Sequence, residues 1–309
     1  MVARDTTGLT HVALKKKVQK IIKVDALKSI TKFVRERHPL LWGTERPRTF
    51  QSDAILLALY HDITGTGYHA LSDATRSWHN IEQKSLRHNT QILRHEFEKW
   101  GEEQITLGDK HAWNHSVRYS EFGDQIADAN LRIDSTDMTR IGKRSTSKKS
   151  SGWSYKANSP AQRYMTLVDG RSRIVKLWGG YSPKIYDGDF LKLKKEFFED
   201  TLGRGANILG DNHFMAGTKF RKCKFYCNIK NKTAKDTENK GKRLSMLTKD
   251  QKKFNGQHRT ARAAVENPFG AMQTRFTMLK EPFQESESQQ DALVTFACGH
   301  HNFLLRNRI

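Results

Sequence analysis

The chain has 309 residues, and its 54 Lys plus Arg against 33 Asp plus Glu leave a formal net charge of +21. That excess marks a polyanion binder, and without a basic amphipathic helix carrying a strong apolar face it favours nucleic acid over a membrane surface. Hydrophobic residues are 36% of the total, enough for one large or two modest domains, yet no apolar run is long enough for a transmembrane helix or a secretory leader. The three cysteines, Cys223, Cys227 and Cys298, are too few for a disulfide framework and fit a reducing compartment.

Residues 1–45 hold a basic segment, Lys15-Lys16-Lys17 through Lys32, with Val18, Ile21, Ile22 and Leu27 at helical spacing. It reads as a solvated accessory helix or as an arm that contacts DNA. Pro39 and Pro47 bracket a turn-rich stretch containing Trp42. Residues 50–64 read as a helix with Ile55, Leu56 and Leu59 apolar, ended by Gly65-Thr66-Gly67. Residues 68–78 and 83–100 read as two more, the second carrying Leu86, Thr90, Leu93, Phe97 and Trp100 at three-to-four spacing. Helix, short turn, helix is the outline of a helix-turn-helix, and equally of a plain bundle. Arg87, His88, Asn89 and Gln91 would face outward there, and their types contact phosphates and base edges. Residues 101–128, with Ile105-Thr106-Leu107, Trp113 and Phe122-Gly123, read as a connector whose role is packing.

From Ala129 the pattern changes to strands. Leu131–Asp134 reads as a short strand ending on Asp134. Residues 138–156 form a basic, Ser-rich loop with Arg140, Lys143, Arg144, Lys148, Lys149 and Lys156. It is either a solvated loop or one that touches phosphates, and its two basic pairs also fit a nuclear-import signal. Tyr164–Val168 and Arg173–Leu177 read as a hairpin turning at Asp169-Gly170, followed by a helix over Phe190–Phe198. Ile208–Asp211 reads as a strand ending on its acid. Residues 221–256 look like a Lys-rich insertion in which Phe225–Ile229 adds a strand and 230–243 is mobile. Cys223-x3-Cys227 with Cys298-x2-His301 is an unusual spacing for zinc, so buried free thiols are the expected state.

His258–Phe276, read as one helix, puts Arg259, Arg262, Glu266 and Gln273 on one face beside an apolar stripe of Val265, Phe269, Met272 and Phe276. Alone, that is an ordinary surface ion pair or a place where a large anion comes close. Asp134 and Asp211 change the reading. Two strand-end aspartates and a helical glutamate, brought from separate elements, can converge to hold a pair of divalent cations.

In these features the chain resembles DDE-type transposases of the PIF/Harbinger group, whose relatives include bacterial insertion-sequence transposases. The resemblance runs from about residue 50 to the C-terminus. It is carried by the Asp134 strand, Leu209-Gly210-Asp211, His258-x3-Arg262-x3-Glu266-x2-Phe269-Gly270 with Arg275-Phe276, and Ala297-Cys298-Gly299-His300-His301-Asn302-Phe303-Leu304. It implies an α/β architecture: an RNase H-like catalytic domain over 129–309, a mixed sheet flanked by helices with its first and fourth strands side by side. An all-α region over 1–128 would precede it, with a helix-turn-helix at about 50–100. It implies metal-dependent cutting and joining of DNA with two Mg²⁺ or Mn²⁺ ions held by Asp134, Asp211 and Glu266, Asp134 bridging them. Arg259 and Arg262 would grip phosphates, Asp187 would support the site from behind its ligands or serve simply as an acid at a helix N-terminus, and Lys143, Arg144, Lys148, Lys149 and the residues at 87–91 would add DNA contacts.

The chain departs from the family pattern at Asp134-Ser135-Thr136-Asp137, often Asp-Gly-Thr-His, and at Tyr186-Asp187, where the family has His-Asp. Pro268 predicts a kink just after Glu266. The resemblance implies transposon ends and target DNA as partners, a homo-oligomer, and a second, Myb-like DNA-binding protein. It places the chain in the nucleus of a eukaryotic host or otherwise in the cytoplasm. A domesticated descendant that binds DNA without cutting, and a basic structural protein in which the three acids are accidental, stay open at this point.

Overall fold

The computed structural model describes residues 9–37, 48–78, 81–107, 124–141, 152–230, 247–264 and 268–307. A mixed sheet stands at its centre. β1 (Leu131–Thr139) pairs antiparallel with β3 (Ser159–Asp169) along its whole length, from Leu131↔Asp169 to Thr139↔Ala161. β4 (Ile174–Tyr181) adds to the far side of β3, and β2 (Trp153–Ser154) pairs with the start of β3. On the other flank of β1, β5 (Asn207–Leu209) and β6 (Lys224–Tyr226) continue the sheet in parallel. Three antiparallel strands, then two parallel ones, with the first strand beside the one that precedes Asp211, are consistent with an RNase H-like fold.

The β3–β4 turn shows why this hairpin was readable. Asp169 is fully buried and accepts from the backbone N–H groups of Arg171 and Arg173 and from the Arg173 Nε–H, at 2.9, 3.0 and 2.7 Å. Its carboxylate therefore organises the turn as an Asx-type device.

Alternation along the strands covers both faces of the sheet. Leu131, Ile133, Met165, Leu167 and Val175 pack with Phe190, Phe198, Phe214 and Phe225 on one face. The first of these phenylalanines comes from α6 (Asp187–Leu193) and the next two from a single-turn π-helix (Phe197–Leu202) and a 3₁₀ segment (Asn212–Lys219). Tyr164, Val168 and Ile174 belong to a second core that takes in the helices on the opposite face.

Those helices come from both ends of the chain. α1 (His11–Ile22) and α2 (Val24–Arg37) are separated by Lys23 in a left-handed conformation (φ 68°). They are not solvated, as their lysines suggest: Leu14, Val18, Ile22, Ala26, Ile30 and Val34 are buried in the shared core, and the charges face out. α3 (Arg48–Thr64), α4 (Tyr68–Thr75) and α5 (Gln83–Gln104) reproduce the three expected helices. α5 lies along the C-terminal helix α9 (Glu287–Arg306), with Phe97 and Trp100 packed on Phe296 at ring distances of 5.2 and 5.8 Å. Backbones touch at this crossing: a Cβ on Gly299 would lie 2.3 Å from the Gly101 Cα.

A buried ionic cluster ties α3 and α5 to the segment before α9. Arg94, fully buried, forms a bidentate pair with Asp62 and donates to Glu285 Oε2 (3.1 Å) and Gln289 Oε1 (3.0 Å). Tyr68 donates to Glu285 Oε1 at 2.6 Å. Burial alone would raise the Glu285 carboxyl; His61, Arg94, Tyr68 and Gln91 more than offset it and hold it well below the usual carboxylate range.

Three expectations are corrected here. The proposed helix over 258–276 is two helices, α7 (Lys249–Ala264) and α8 (Pro268–Arg275). Pro268 opens the second, where its missing N–H costs nothing. The Lys-rich stretch 221–256 is not wholly an insertion: Lys224–Tyr226 is a sheet strand and α7 starts at Lys249, while 231–246 lies outside the described residues. The helix expected at 190–198 is shorter and earlier, and the π-turn comes after it.

Candidate active site

The parallel β1–β5 register pairs Leu131 with Ile208 and Arg132 with Leu209. Asp134 and Asp211 each lie two residues past the last of these pairs. Both therefore stand at the C-terminal edge of the parallel strands, the usual place for a site in such a sheet. Neither ends a strand as read from sequence. Asp134 is mid-way along β1, because antiparallel pairing to β3 continues past it. Asp211 lies just beyond β5 and caps the 3₁₀ segment, its Oδ1 accepting from the His213 N–H at 2.8 Å.

Asp134 shares its strand face with Arg132, and Arg132 Nη2–H donates to Asp134 Oδ2 at 2.8 Å. The Ser135 N–H donates to Oδ1 at 2.9 Å. Arg132 Nη1–H reaches in turn to the Arg262 carbonyl of α7 at 2.9 Å. One guanidinium thus joins the strand acid to the last turn of the helix that leads toward Glu266. Glu266 itself lies outside the described residues.

α7 is fixed to the sheet by His258, whose buried Nε2–H donates to the Tyr226 carbonyl of β6 at 3.0 Å. Burial pushes the His258 pKa down; the bond to Tyr226 opposes this and the Arg262 charge adds to it, while Asp211 pulls the other way. Cys227 also feels both Asp211 and Arg262, although burial is the main cause that lifts its thiol to about 12. Asp211 and Arg262 are therefore electrostatic neighbours. Arg262 Nε is buried and makes no hydrogen bond to a described residue. Arg259, one turn earlier, is exposed.

On the other side of Asp134, Ser135 opens into a cleft of about 720 Å³ shared with Asp187, Asp211, His213 and Arg163. Asp187 is buried, and its Oδ1 makes no hydrogen bond, with Arg163 Nη1 3.6 Å away. Burial raises the Asp187 carboxyl; Arg163 opposes this and the Asp211 charge adds to it. Arg163 is itself gripped by Asp137, at 2.7 and 3.1 Å, and donates to the Ile185 carbonyl at 2.7 Å. Asp137 thus anchors the loop that carries Asp187.

Asp134, Asp211 and Asp187 are hard oxygen donors and suit Mg²⁺ or Mn²⁺ in type. Among the described residues no three His, Cys, Asp or Glu side chains form a ready metal cluster. Cys223 and Cys227 pack in one core and Cys298 in the other, while His301 Nε2–H donates to the Ser172 carbonyl at 2.9 Å, so these four do not form a zinc site.

Residues 133–302 match the DDE superfamily endonuclease family. The chain belongs to that family. In this DDE endonuclease the matched region opens one residue before Asp134 and closes on Asn302. Asn302 holds α9 to β4 by accepting from the Ile174 N–H (2.8 Å) and donating to the Ile174 carbonyl (2.7 Å), and it also donates to Gln104 of α5. No curated protein matches the sequence. Among solved structures, the chain resembles the piggyBac transposase of a cryo-EM synaptic complex with hairpin DNA, at 10% identity and a TM-score of 0.39, over 96% of this chain and 75% of that one.

Of the other expected DNA contacts, Arg87 and His88 are exposed, Asn89 is half-buried, and Gln91 donates inward to Glu285 Oε2 at 3.1 Å. Lys143, Arg144, Lys148 and Lys149 lie outside the described residues. Sequence reasoning missed Arg132, Asp137 and Arg163. The available signal for Arg132 was its two-residue spacing from Asp134, which fixes a shared strand face.

Proposed function

We propose that this DDE endonuclease is a transposase of PIF/Harbinger type that cuts and joins DNA strands, with Asp134, Asp211 and Glu266 holding two Mg²⁺ or Mn²⁺ ions. The reading is carried by Arg132, which bridges Asp134 and the end of α7. The bridge pairs a buried guanidinium and, in doing so, fixes the strand acid relative to the helix. When bound, the ions activate the attacking oxygen and neutralise charge on the leaving one.

The chain's own residues do the rest. Arg132 orients Asp134 and balances its charge until cations arrive. His258 keeps α7 seated on β6, so that Arg259 and Arg262 face the DNA with planar donors suited to phosphate. Asp187, held by the Arg163–Asp137 pair, supports the site from the cleft. Exposed Arg87 and His88 on α5 contact DNA as part of a helix-turn-helix, and transposon ends are brought together by a homo-oligomer. A Myb-like partner and a nuclear location in a eukaryotic host belong to the same reading.

Nicking of supercoiled plasmid in Mn²⁺ tests it. The wild type should nick, and Glu266→Gln should bind the same DNA yet lose cutting by about a hundred-fold or more, as expected when a metal-holding acid is neutralised. Equal nicking by both proteins would end the assignment.

A further inference from the structure

Two tyrosines flank the cleft that ends on Asp187 and Asp211, and the cutting reading uses neither. Tyr155 is 70% exposed and Tyr186 74%. Tyr186 stands where a small polar residue would serve the fold better. Tyr155 lies in the turn between β2 and β3. Tyr186 is the N-cap of α6, where it makes no side-chain cap bond. Ser, Thr, Asp or Asn would accept a backbone N–H there, so the aromatic ring gives up a cap and gains no burial.

Cations stand beside the rings. Lys184 Nζ is 5.8 Å from the Tyr155 ring centroid, and Lys156 lines the same cleft. Exposed aromatic faces interleaved with positive charge are the make-up of a single-strand site, in which bases stack on rings while charges track the backbone. Double-stranded DNA cannot use the rings, because each base already has neighbours on both faces.

We propose that this cleft seats an unpaired stretch of DNA strand beside the acids, with Tyr155 and Tyr186 stacking its bases and Lys156 and Lys184 holding its phosphates. The proposal deepens the cutting reading and rests on it only for where the strand leads: the rings deliver an unpaired nucleotide to the edge on which Asp211 stands.

The test uses the full chain in EDTA, so that no strand is cut, and a short single-stranded DNA carrying 2-aminopurine. The wild type should quench the probe as its bases stack. Tyr155→Ala with Tyr186→Ala should weaken single-strand binding about ten-fold or more, the range expected for lost base–aromatic stacking, and leave duplex binding unchanged. Tyr186→Trp should keep the quench. Unchanged single-strand affinity in the double variant would overturn the proposal, as would an equal loss for single strand and duplex. The two readings fail separately. Normal nicking with no tyrosine effect removes only the strand seat, while tyrosine-dependent binding by a protein that never nicks removes only the nuclease.

Discussion

Asp134 and His300 illustrate two different uses of an ionisable side chain. Asp134 is held by a paired arginine and the Ser135 N–H. His300 is fully buried and donates Nε2–H to the Ile22 carbonyl at 3.0 Å, and burial pushes its pKa down to about 4. The ordinary value is about 6.5. Between these values the unfolded chain takes up a proton that the folded chain refuses. Stability is therefore complete above about pH 6.5 and falls as the pH drops toward 4. Moving from pH 7.5 to 5 should cost the wild type about 2 kcal/mol more than His300→Gln, which has no proton to take up. Urea midpoints at the two pH values measure this. At this scale the sequence drew attention to Asp134 and Asp211 as carboxylates next to apolar runs, although neither stands at a strand end as read. Arg132 left only the local sign of its spacing from Asp134, because its other bond, to the Arg262 carbonyl, joins residues 130 apart in sequence.

At the scale of elements, α3, α4, α5 and the β3–β4 hairpin were legible from periodicity and turn chemistry, and Pro268 marked the start of α8. Asp211 was misplaced because β5 is only three residues long, and the segment after it is shaped by a cap bond rather than by alternation. In α1 and α2 the apolar spacing of Val18, Ile22 and Leu27 was visible, but the many lysines pointed to a solvated helix or a DNA-contacting arm, whereas the stripe is buried in the shared core. The α5–α9 crossing depends on glycine at both positions. Gly299→Ala would drive its Cβ into the Gly101 backbone, which cannot step aside. That substitution should destabilise the protein by about 3 kcal/mol, at the upper end of overpacking costs, and shift the thermal midpoint accordingly. Gly270→Ala, which meets nothing within 4 Å, should be nearly neutral and serves as the control.

For the whole molecule, the +21 charge and the shared core act together. The core that joins α1–α5 to α9 and the sheet fixes the exposed face of α5 relative to Asp134 and Asp211; under the proposed function, DNA held by one would be presented to the other. Binding should then be dominated by phosphate contacts. Raising salt from 50 to 200 mM should cut affinity by about a thousand-fold if roughly six phosphates are engaged, and a flat titration would count against DNA as the partner.

Manganese binding, followed by electron paramagnetic resonance in the presence of duplex DNA, tests the central claim most directly. If Asp134, Asp211 and Glu266 form one metal-holding site, the wild type takes up Mn²⁺ and the triple variant Asp134→Asn, Asp211→Asn, Glu266→Gln loses that uptake while still binding the DNA. Identical Mn²⁺ titrations of the two proteins would contradict it.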